Sequence, residues 1–381
     1  MSRIRSGGLT RRHLLKGTAA AGAVGLAAPF IVKGSLASSG ELNFLGWAGY
    51  DEFPQVFAAF EKKTGIKIKF TGLGSQDEML AQAKTGAATN GSFDISEPTV
   101  DRLSNWAENG FLQAWDEKKI NIDGVEPSMS TGKLATAMTA DGKRIASPSV
   151  WGTEALMYNT AEVKLEYGKA SLGDLFDDKY AGKLVLRGHS GLAAAGRWLE
   201  AQGKLPFPWD DSYVDEAKMV KNWDEALKFA VSKRKNIAQF WSNENEAQGA
   251  FRTNGCVIGF NWDSSAGSLL KENFPIGYLA PKEGAFGWLQ NFVLLKGAKN
   301  LEQAHAWVSW INTPEGSNLW GHAFGSNPCA KGAVDLMEPA AKKFFQAAYP
   351  GDALSKLWWW PAQQSWFVAK RTEYAKKFVS A

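Results

Sequence analysis

The chain has 381 residues, is 45% hydrophobic and carries a formal net charge of +4. Its first 37 residues hold six basic and no acidic side chains, so the remainder has 37 basic against 39 acidic residues. Because the basic surplus lies entirely in that first segment, the rest of the chain shows no sign of binding nucleic acid or an anionic membrane surface.

The first 37 residues predict an export signal. Residues 10–16 (TRRHLLK) resemble a twin-arginine signature, a weakly apolar run follows at 18–32, and Ser35-Leu36-Ala37 offers a small-x-small cleavage site. The apolar run is shorter than the roughly 20 residues of a membrane-spanning helix, so we expect cleavage rather than a retained anchor. An ordinary secretory signal with a chance Arg pair is the alternative. We therefore expect export by the twin-arginine (Tat) machinery to the periplasm.

The rest of the chain predicts alternating strands and helices. Residues 41–46 form a short apolar run, 53–65 carry apolar residues at helical spacing, and 66–70 alternate apolar and polar side chains. This strand-helix-strand order is a βαβ unit and favours an α/β fold with a parallel sheet between helices. The later predicted helices are 79–85, 100–109, 192–200, 223–233 and 301–311, and the later predicted strands are 93–95, 183–186 and 255–260.

Roughly 344 residues remain after the signal, more than one core usually supports, so we expect two lobes. Pro and Gly cluster near residues 148–152 and 281–287, where the chain is expected to cross between them. The predicted lobes are 41–149 plus 288–330 and 150–287 plus 331–381, with the crossings acting as a hinge. Cys256 and Cys329 can pair in an oxidising compartment, but two buried free thiols are favoured, because Cys256 lies in a strand-like run.

Five segments, in chain order, resemble the polyamine-binding branch of the periplasmic substrate-binding proteins of ABC transporters. They are residues 46–50 (GWAGY), 60–65 (FEKKTG), 150–152 (VWG), 180–186 (YAGKLVL) and 281–284 (PKEG), the last leading to Trp288. The resemblance implies a hinged, two-lobe type II periplasmic binding protein fold, each lobe a mixed, mostly parallel sheet flanked by helices, closing on a ligand in the cleft. It implies a small organic solute and the transmembrane subunits of an ABC permease as partners, and we expect a monomer without a cofactor.

Aromatic residues after the predicted strands indicate where a ligand binds. Trp47, Tyr50, Trp262 and Trp288 match the family's ligand-contacting positions and would form an aromatic box around an alkyl chain or an amine. From the C-terminal run 358–360 (WWW), one ring, Trp360, is expected to close over the ligand. Tryptophans on or beside amphipathic helices are expected in the core instead; these are Trp106, Trp115, Trp198, Trp223, Trp307 and Trp310.

The family's acidic contacts are missing from the matching positions. Polyamine binders hold ammonium groups with carboxylates, but this sequence has Gly49, His189, Leu192 and Gln290 there. Asp101 or Asp263 is expected to balance positive charge, and Thr99 and Gln290 are expected to contact the ligand as well. Glu154 also lies near a predicted cleft element. A solvated or hinge role for Asp263 or Glu154 remains open.

Residues 187–191 (RGHSG) lie between a predicted strand and helix, a place that favours an anion. With Arg187 and His189 added, the ligand is expected to carry an acidic group as well as an amine, unless Arg187 only pairs with a surface acid. The predicted ligand is therefore an amine-containing solute, zwitterionic or quaternary, with a polyamine as the alternative.

An enzyme is the rival class. Residues 188–191 (GHSG) resemble a nucleophile elbow, but Leu192 stands where that motif needs Gly. His305 lies on an amphipathic helix, which leaves His322 as the independent base candidate, and no zinc or phosphate-loop motif occurs. A ferric-ion binder would use adjacent Tyr ligands, and no two Tyr are adjacent here. We expect neither catalysis, as in a secreted hydrolase, nor a metal site.

Overall fold

A computed structural model describes residues 40–49, 54–88, 91–323 and 325–381. The predicted signal over residues 1–37 and the predicted ligand contact Tyr50 lie outside the described residues.

The longer elements follow the predicted order. The α-helices are α1 (Pro54–Thr64), α2 (Gln76–Ala88), α3 (Leu103–Glu108), α4 (Pro127–Ser130), α5 (Gly132–Ala137), α6 (Gly188–Ala201), α7 (Glu216–Ser232), α8 (Glu244–Arg252), α9 (Asp263–Lys271), α10 (Leu301–Ile311), α11 (Pro314–Ala323), α12 (Pro339–Ala348) and α13 (Ser365–Ser380). The strands are β1 (Glu41–Trp47), β2 (Lys67–Leu73), β3 (Ile95–Ser96), β4 (Leu112–Gln113), β5 (Thr139–Ala140), β6 (Lys143–Arg144), β7 (Ala146–Asn159), β8 (Leu184–Arg187), β9 (Ile237–Trp241), β10 (Ile258–Trp262), β11 (Ile276–Leu279), β12 (Phe286–Leu295), β13 (Asn327–Pro328) and β14 (Trp358–Trp359).

The large sheet is mixed. Its strand order is β2-β1-β3-β12-β7-β10-β8-β9, with β11 and β13 on β7 and with β4 and β14 on β12. Strands β2, β1 and β3 are parallel at one end, and β10, β8 and β9 are parallel at the other. The central strands β7 and β12 are antiparallel to each other and to the neighbours that flank them on either side. The expected α/β class with a mixed sheet is confirmed.

Strands β7 and β12 connect the two groups of parallel strands. Ala146 pairs with Val293 and Glu154 with Phe286, so the two strands run side by side for most of their length. Beyond this stretch, β7 continues into pairing with β10 and β11, whereas β12 continues into pairing with β3 and β4. The predicted crossing at residues 148–152 therefore lies inside an unbroken 14-residue strand, and the one at 281–287 leads into β12.

Several element boundaries differ from the prediction, among them the start of α7, which lies at Glu216 rather than at residue 223. Two of the differences have a clear local reason. The predicted strand at residues 255–260 is found at Ile258–Trp262, because Gly255 has a positive φ of 67° and Cys256 donates to the last turns of α8 through Ala250 O. Helix α6 begins at Gly188 rather than at residue 192. The small residues of its first turn let α13 pack closely, since a Cβ at Gly188 would already lie 3.1 Å from Val379.

Aromatic side chains pack against one another in the core. Trp307 packs against Phe44, Phe60 and Trp320, and Trp223 packs against Phe367. The tryptophans predicted for the core are buried, except Trp198, which is half-buried and stacks on Phe229 with ring centroids 4.8 Å apart. Cys256 and Cys329 are both buried and not bonded to each other, and burial raises the pKa of the Cys256 thiol to about 11.

Over the described ranges, no helix combines the length and the apolar character that a membrane crossing requires.

Candidate functional site

The carboxyl ends of the parallel strands β8, β9 and β10 bring a buried ion pair and two indole rings together. Arg187 ends β8, and its Nη1 lies 3.5 Å from Oε1 of Glu154 on β7. The Arg187 guanidinium carbon lies 4.8 Å from the ring centroid of Trp262 and 5.1 Å from that of Trp241, which end β10 and β9. A cation over an indole face in a partly desolvated place contributes on the order of 1–2 kcal/mol. Arg187 is therefore held by both an acid and aromatic faces.

The Glu154 carboxyl is removed from water, and Arg187 beside it is half-buried. Burial raises the pKa of Glu154, and the nearby Arg187 opposes that rise. Burial likewise lowers the pKa of Arg187, and Glu154 opposes that fall. Each charge thus depends on its partner, because an isolated charge in such a place is strongly disfavoured. The structure shows the alternative in which Arg187 pairs with an acid. That acid, Glu154, is buried rather than on the surface.

A second acid reaches the same region from the other end of the sheet. Asp101 lies in the 3-10 turn Val100–Arg102, between β3 and α3, and is 7% exposed. Burial raises its pKa, while a hydrogen bond from Thr99 and the charges of Arg102 and Arg371 oppose the rise. Thr99 in turn bridges to Gln290 of β12. The predicted residues Thr99, Asp101 and Gln290 are thus brought together.

The C-terminal segment joins the Asp101 turn to α6. The Gln363 backbone N–H donates to Asp101 O at 2.6 Å, and Arg371 Nη1 donates to Gln363 Oε1 at 2.6 Å. The Trp360 ring packs against Phe286 and lies 6.0 Å from the His189 ring. In the same run, Trp358 donates to Asp210, and Trp359 packs on Trp151. Closure of Trp360 over a ligand stays a prediction.

Electrostatic interactions link these groups into what we call the charged cluster: Asp101, Glu154, Arg187, His189 and Arg371. Burial lowers the pKa of His189 well below its ordinary value, and the positive charges of Arg187, Arg371 and Arg102 lower it further. His189 is therefore neutral at physiological pH and offers one donor and one acceptor nitrogen. Two surface depressions among the described residues, around residues 203–225 and around residues 162–183, contain none of this cluster.

The predicted aromatic contacts occupy separate positions. The Trp47 indole N–H donates to Glu97 O at 3.0 Å, and Trp288 lies against the backbone of β7 at Gly152, with its buried Nε1 unbonded. Trp262 meets Trp241 with ring centroids 4.6 Å apart. Within the described ranges, no ring contact joins Trp47, Trp262 and Trp288 to one another, and Tyr50 lies outside these ranges. The box around a ligand remains a prediction.

Asp263 is held by the protein itself. Its carboxylate accepts hydrogen bonds from Tyr349 Oη at 2.8 Å, Asn327 Nδ2 at 3.0 Å and the Ser264 backbone N–H at 3.1 Å. Burial raises its pKa to about 7, against these hydrogen bonds. With its oxygens already occupied, Asp263 supports the strand ends beneath Trp288, whereas Asp101 is the acid less occupied by the protein.

The sequence analysis missed Trp241, Glu244 and Arg371. Trp241 follows a strand that went unrecognised, and Glu244 at the start of α8 accepts from Ser264 and Ser265, which fixes α9 next to Arg187. Arg371 had a detectable signal: it lies four residues after Phe367 and three before Tyr374, in the apolar stripe of a helix. In the part of the chain that the structure describes, no three His, Cys, Asp or Glu side chains converge as metal ligands.

The sequence matches the family of bacterial extracellular solute-binding proteins over residues 55–348. That match covers well over half of the chain. The chain belongs to this family.

Curated relatives of this solute-binding protein support the same assignment. The spermidine/putrescine-binding periplasmic protein of Escherichia coli (strain K12) is 24% identical over 329 residues, which are 86% of each chain. Spermidine/putrescine-binding periplasmic protein 1 of Haemophilus influenzae is 26% identical over 253 residues; the match spans 66% of this chain and 65% of the relative, just under two thirds of its length.

A solved structure confirms the fold. The spermidine/putrescine ABC transporter substrate-binding protein PotD from Streptococcus pneumoniae superposes with a TM-score of 0.71 at 20% identity, over 89% of this chain and 98% of that one. This solute-binding protein therefore has the two-lobe periplasmic binding protein fold. At this identity the likeness establishes the architecture and leaves the ligand to be argued from the side chains.

Proposed function

We propose that this protein binds a small zwitterionic solute, one that carries both an amine and an acidic group, and delivers it to an ABC importer. The observation that carries the proposal is the charged cluster, which brings a buried acid, Asp101, into the same region as the half-buried cations Arg187 and Arg371, where polyamine binding would call for acids alone. The two relatives named above are periplasmic, and we infer the same compartment, reached by the twin-arginine route. Delivery to the permease by a monomer without a cofactor belongs to the same proposal.

The proposed cleft lies between residues 41–149 plus 288–330 on one side and residues 150–287 plus 331–381 on the other. Asp101 belongs to the first set, whereas Glu154, Arg187, His189 and Arg371 belong to the second. Strands β7 and β12 run through both sets and form the proposed hinge. A ligand that contacts both sets would favour the closed arrangement, because closure can be driven only by contacts that the open form lacks.

The amine of the solute is proposed to lie at Asp101. This carboxyl is buried, and in the described residues no Lys or Arg nitrogen lies within 4 Å of it. A ligand ammonium would compensate the charge of the acid, and aromatic faces nearby would cover the alkyl portion. Arg187 already covers one face of the Trp262 ring. We therefore propose that the solute contacts Trp288 and the outer edge of Trp262.

A polyamine is the second candidate, and the names of the two relatives favour it. Against it stands the balance of charge: a polyamine would bring two or more ammonium groups to a region that already holds Arg187 and Arg371. Like charges in a low-dielectric site repel strongly.

We propose no catalytic step. Within the described ranges, no histidine nitrogen lies within hydrogen-bonding distance of a serine hydroxyl; the bonds of His305 go to Leu301 O and the Asp116 backbone N–H. Ser190 and the neutral His189 are successive residues of one helical turn, so their side chains diverge. The hydrolase interpretation therefore lacks the nucleophile-base pair that it needs.

Thermal-shift screening of the protein without its first 37 residues tests the proposal. Polyamines, quaternary amines, amino acids and organic acids would be compared at equal concentration. We expect the largest stabilisation from a solute that has both an amine and an acid, since stabilisation follows the ratio of ligand concentration to Kd. Micromolar binding of spermidine or putrescine would overturn the zwitterion proposal in favour of the second candidate.

Two tryptophan substitutions test the aromatic contacts. We expect Trp262→Ala and Trp288→Ala each to weaken binding of the best solute about tenfold or more, because stacking on an indole is lost. Trp198→Ala is the control: it also removes a half-buried ring, one stacked on Phe229 away from the charged cluster. Affinity would be measured by calorimetric titration. If both site variants bind as tightly as the control, the aromatic contacts must be abandoned.

A further inference from the structure

Helix α13 carries an arginine in its apolar stripe. Phe367, Tyr374 and Phe378 are buried, at a spacing that places them on one face of the helix. Arg371 lies on the same face, between Phe367 and Tyr374. Because α13 packs with this face on α6 and α7, Arg371 is directed inward, where an apolar side chain would ordinarily stand.

Arg371 lacks an acidic partner. Its neighbours have one each: Arg102 Nη2 lies 2.7 Å from Asp77 Oδ1, and Arg187 Nη1 lies 3.5 Å from Glu154 Oε1. Across the described residues, no carboxylate oxygen lies within 4 Å of the Arg371 guanidinium, whose hydrogen bond goes to the neutral Gln363 Oε1. Burial lowers the pKa of Arg371 to about 10, and repulsion by Arg102 lowers it as well. A half-buried cation without an acidic partner is a favourable position for an anion.

We propose that Arg371 is the specificity-determining residue that binds the carboxylate of the solute. The inference rests on the proposed function and adds the residue that selects zwitterions over polyamines. The Gln363 side chain accepts a hydrogen bond from the Arg371 guanidinium, and the Gln363 backbone N–H donates to the carbonyl oxygen of Asp101. Gln363 therefore holds Arg371 and the Asp101 turn as neighbours. A guanidinium suits this role because it binds both oxygens of a carboxylate at once.

The surroundings favour an anion at this position. Helix α6 begins at Gly188, and no side chain caps its first turn. Its backbone N–H groups and the neutral His189 add donors near Arg371, and the positive end of the helix dipole adds to the field. Arg187 does not fill the role, because Glu154, Trp241 and Trp262 already engage it.

Arg371→Gln tests the inference, with Arg102→Gln as the matched control. Gln removes the charge of Arg371 but keeps an amide donor for Gln363 Oε1. The probes are the ω-amino acids from glycine to 6-aminohexanoate, each compared with the diamine of equal chain length, so only the terminal group differs. Calorimetric titration would give Kd, and differential scanning calorimetry would give the unfolding midpoint of each ligand-free protein.

We expect the wild type to bind at least one amino acid more tightly than the diamine of equal chain length. Arg371→Gln is expected to weaken binding of that amino acid about tenfold or more. The affinity of the variant for the diamine is expected to stay the same or rise. Equal affinities of wild type and variant for the amino acid, or tighter binding of the diamine by the wild type, would overturn the inference. Carboxylates without an amine that bind as tightly, and lose affinity in Arg371→Gln, would uphold Arg371 while refuting the proposed amine contact.

If no probe binds, the unfolding midpoints of the ligand-free proteins test the inference. Arg102→Gln removes a buried guanidinium that pairs with the exposed carboxylate of Asp77, and it is expected to lower the unfolding midpoint by several degrees. Arg371→Gln removes a half-buried cation that has no acidic partner, so its midpoint is expected to stay level or rise. A fall as large as that of the control would show that Arg371 is a structural residue, and the inference would fail.

Discussion

Arg187 and Trp262 end neighbouring parallel strands, which places a guanidinium over an indole face at 4.8 Å. A ligand ammonium at that face would meet the positive charge of the protein itself. Arg187 and Trp262 therefore do not act as part of a simple aromatic box. They form a rigid side of the site, and Glu154 balances the charge of Arg187. The cation-binding capacity of the site then depends on Asp101.

Gly152 allows Trp288 to lie against the backbone of β7. A Cβ at this position would lie 2.3 Å from Cζ2 of Trp288 and 2.6 Å from Oδ1 of Asp263. Gly152→Ala is therefore expected to displace the indole, to lower the free energy of unfolding by about 1–3 kcal/mol and to weaken solute binding. Denaturant unfolding and calorimetric titration would measure the two effects.

Gly249→Ala provides the control for this substitution. Gly249 lies inside α8, and a Cβ there would have no atom within 4 Å, so the variant is expected to gain about 0.5–1 kcal/mol of stability. If Gly152→Ala is as stable as wild type, the close packing of Trp288 on β7 is not what positions this ring.

The residues at strand ends could be predicted from the sequence, but their pairings could not. Strand ends of an α/β sheet collect functional side chains, which pointed to Arg187 and Trp262. Whether Arg187 faces a ligand or an internal acid depends on β7, whose Glu154 lies 33 residues earlier in the chain and is brought close by the sheet. Arg371 was overlooked because a charged residue on a helix usually faces solvent.

At the scale of elements, the C-terminal segment ties α13 to α3. Ser365 Oγ donates to Glu108 Oε2 at 2.5 Å and accepts from Asn105 Nδ2 at 2.8 Å, and Gln363 bonds to the backbone at Asp101. Residues 105–108 and 363–365 belong to different proposed lobes. These contacts therefore stabilise the arrangement in which the lobes are together.

Ser365→Ala is expected to accelerate solute dissociation several-fold while changing stability by about 1 kcal/mol or less, because one contact between the proposed lobes is lost. Stopped-flow fluorescence would measure the rate. Thr372→Ala on the same helix is the control, since the Thr372 hydroxyl bonds only within α13, to Val368 O. Equal dissociation rates for the two variants would show that the Ser365 contact plays no part in holding the solute.

Elements with a strong period were predicted well, and short or composite ones were not. Helix α10 was placed at its observed bounds, since apolar residues recur along it at helical spacing and Pro314 follows soon after. Strand β7 was not predicted as a strand, because Pro148 and Gly152 usually interrupt strands; the crossing at residues 148–152 stays a prediction. Pro148 pairs with Asn291, where the register of β12 shifts, and Gly152 pairs with Trp288, a tertiary arrangement that the local sequence does not reveal.

At the scale of the whole molecule, a continuous mixed sheet joins two sets of parallel strands through β7 and β12. Asp101 is presented by one set, and Arg187 and His189 are presented by the other. A solute that bridges the two sets would couple binding to lobe closure, which is what an importer needs in order to distinguish the loaded from the empty protein. The central claim is that this solute carries opposite charges.

Native mass spectrometry of the protein purified from its native source tests that claim most directly. Release of the bound molecule, followed by accurate-mass and fragmentation analysis, would identify its functional groups. The account predicts a complex with one small solute that contains both a basic nitrogen and a carboxylate or other acidic group. Spermidine, putrescine or another solute without an acidic group in the complex would contradict it.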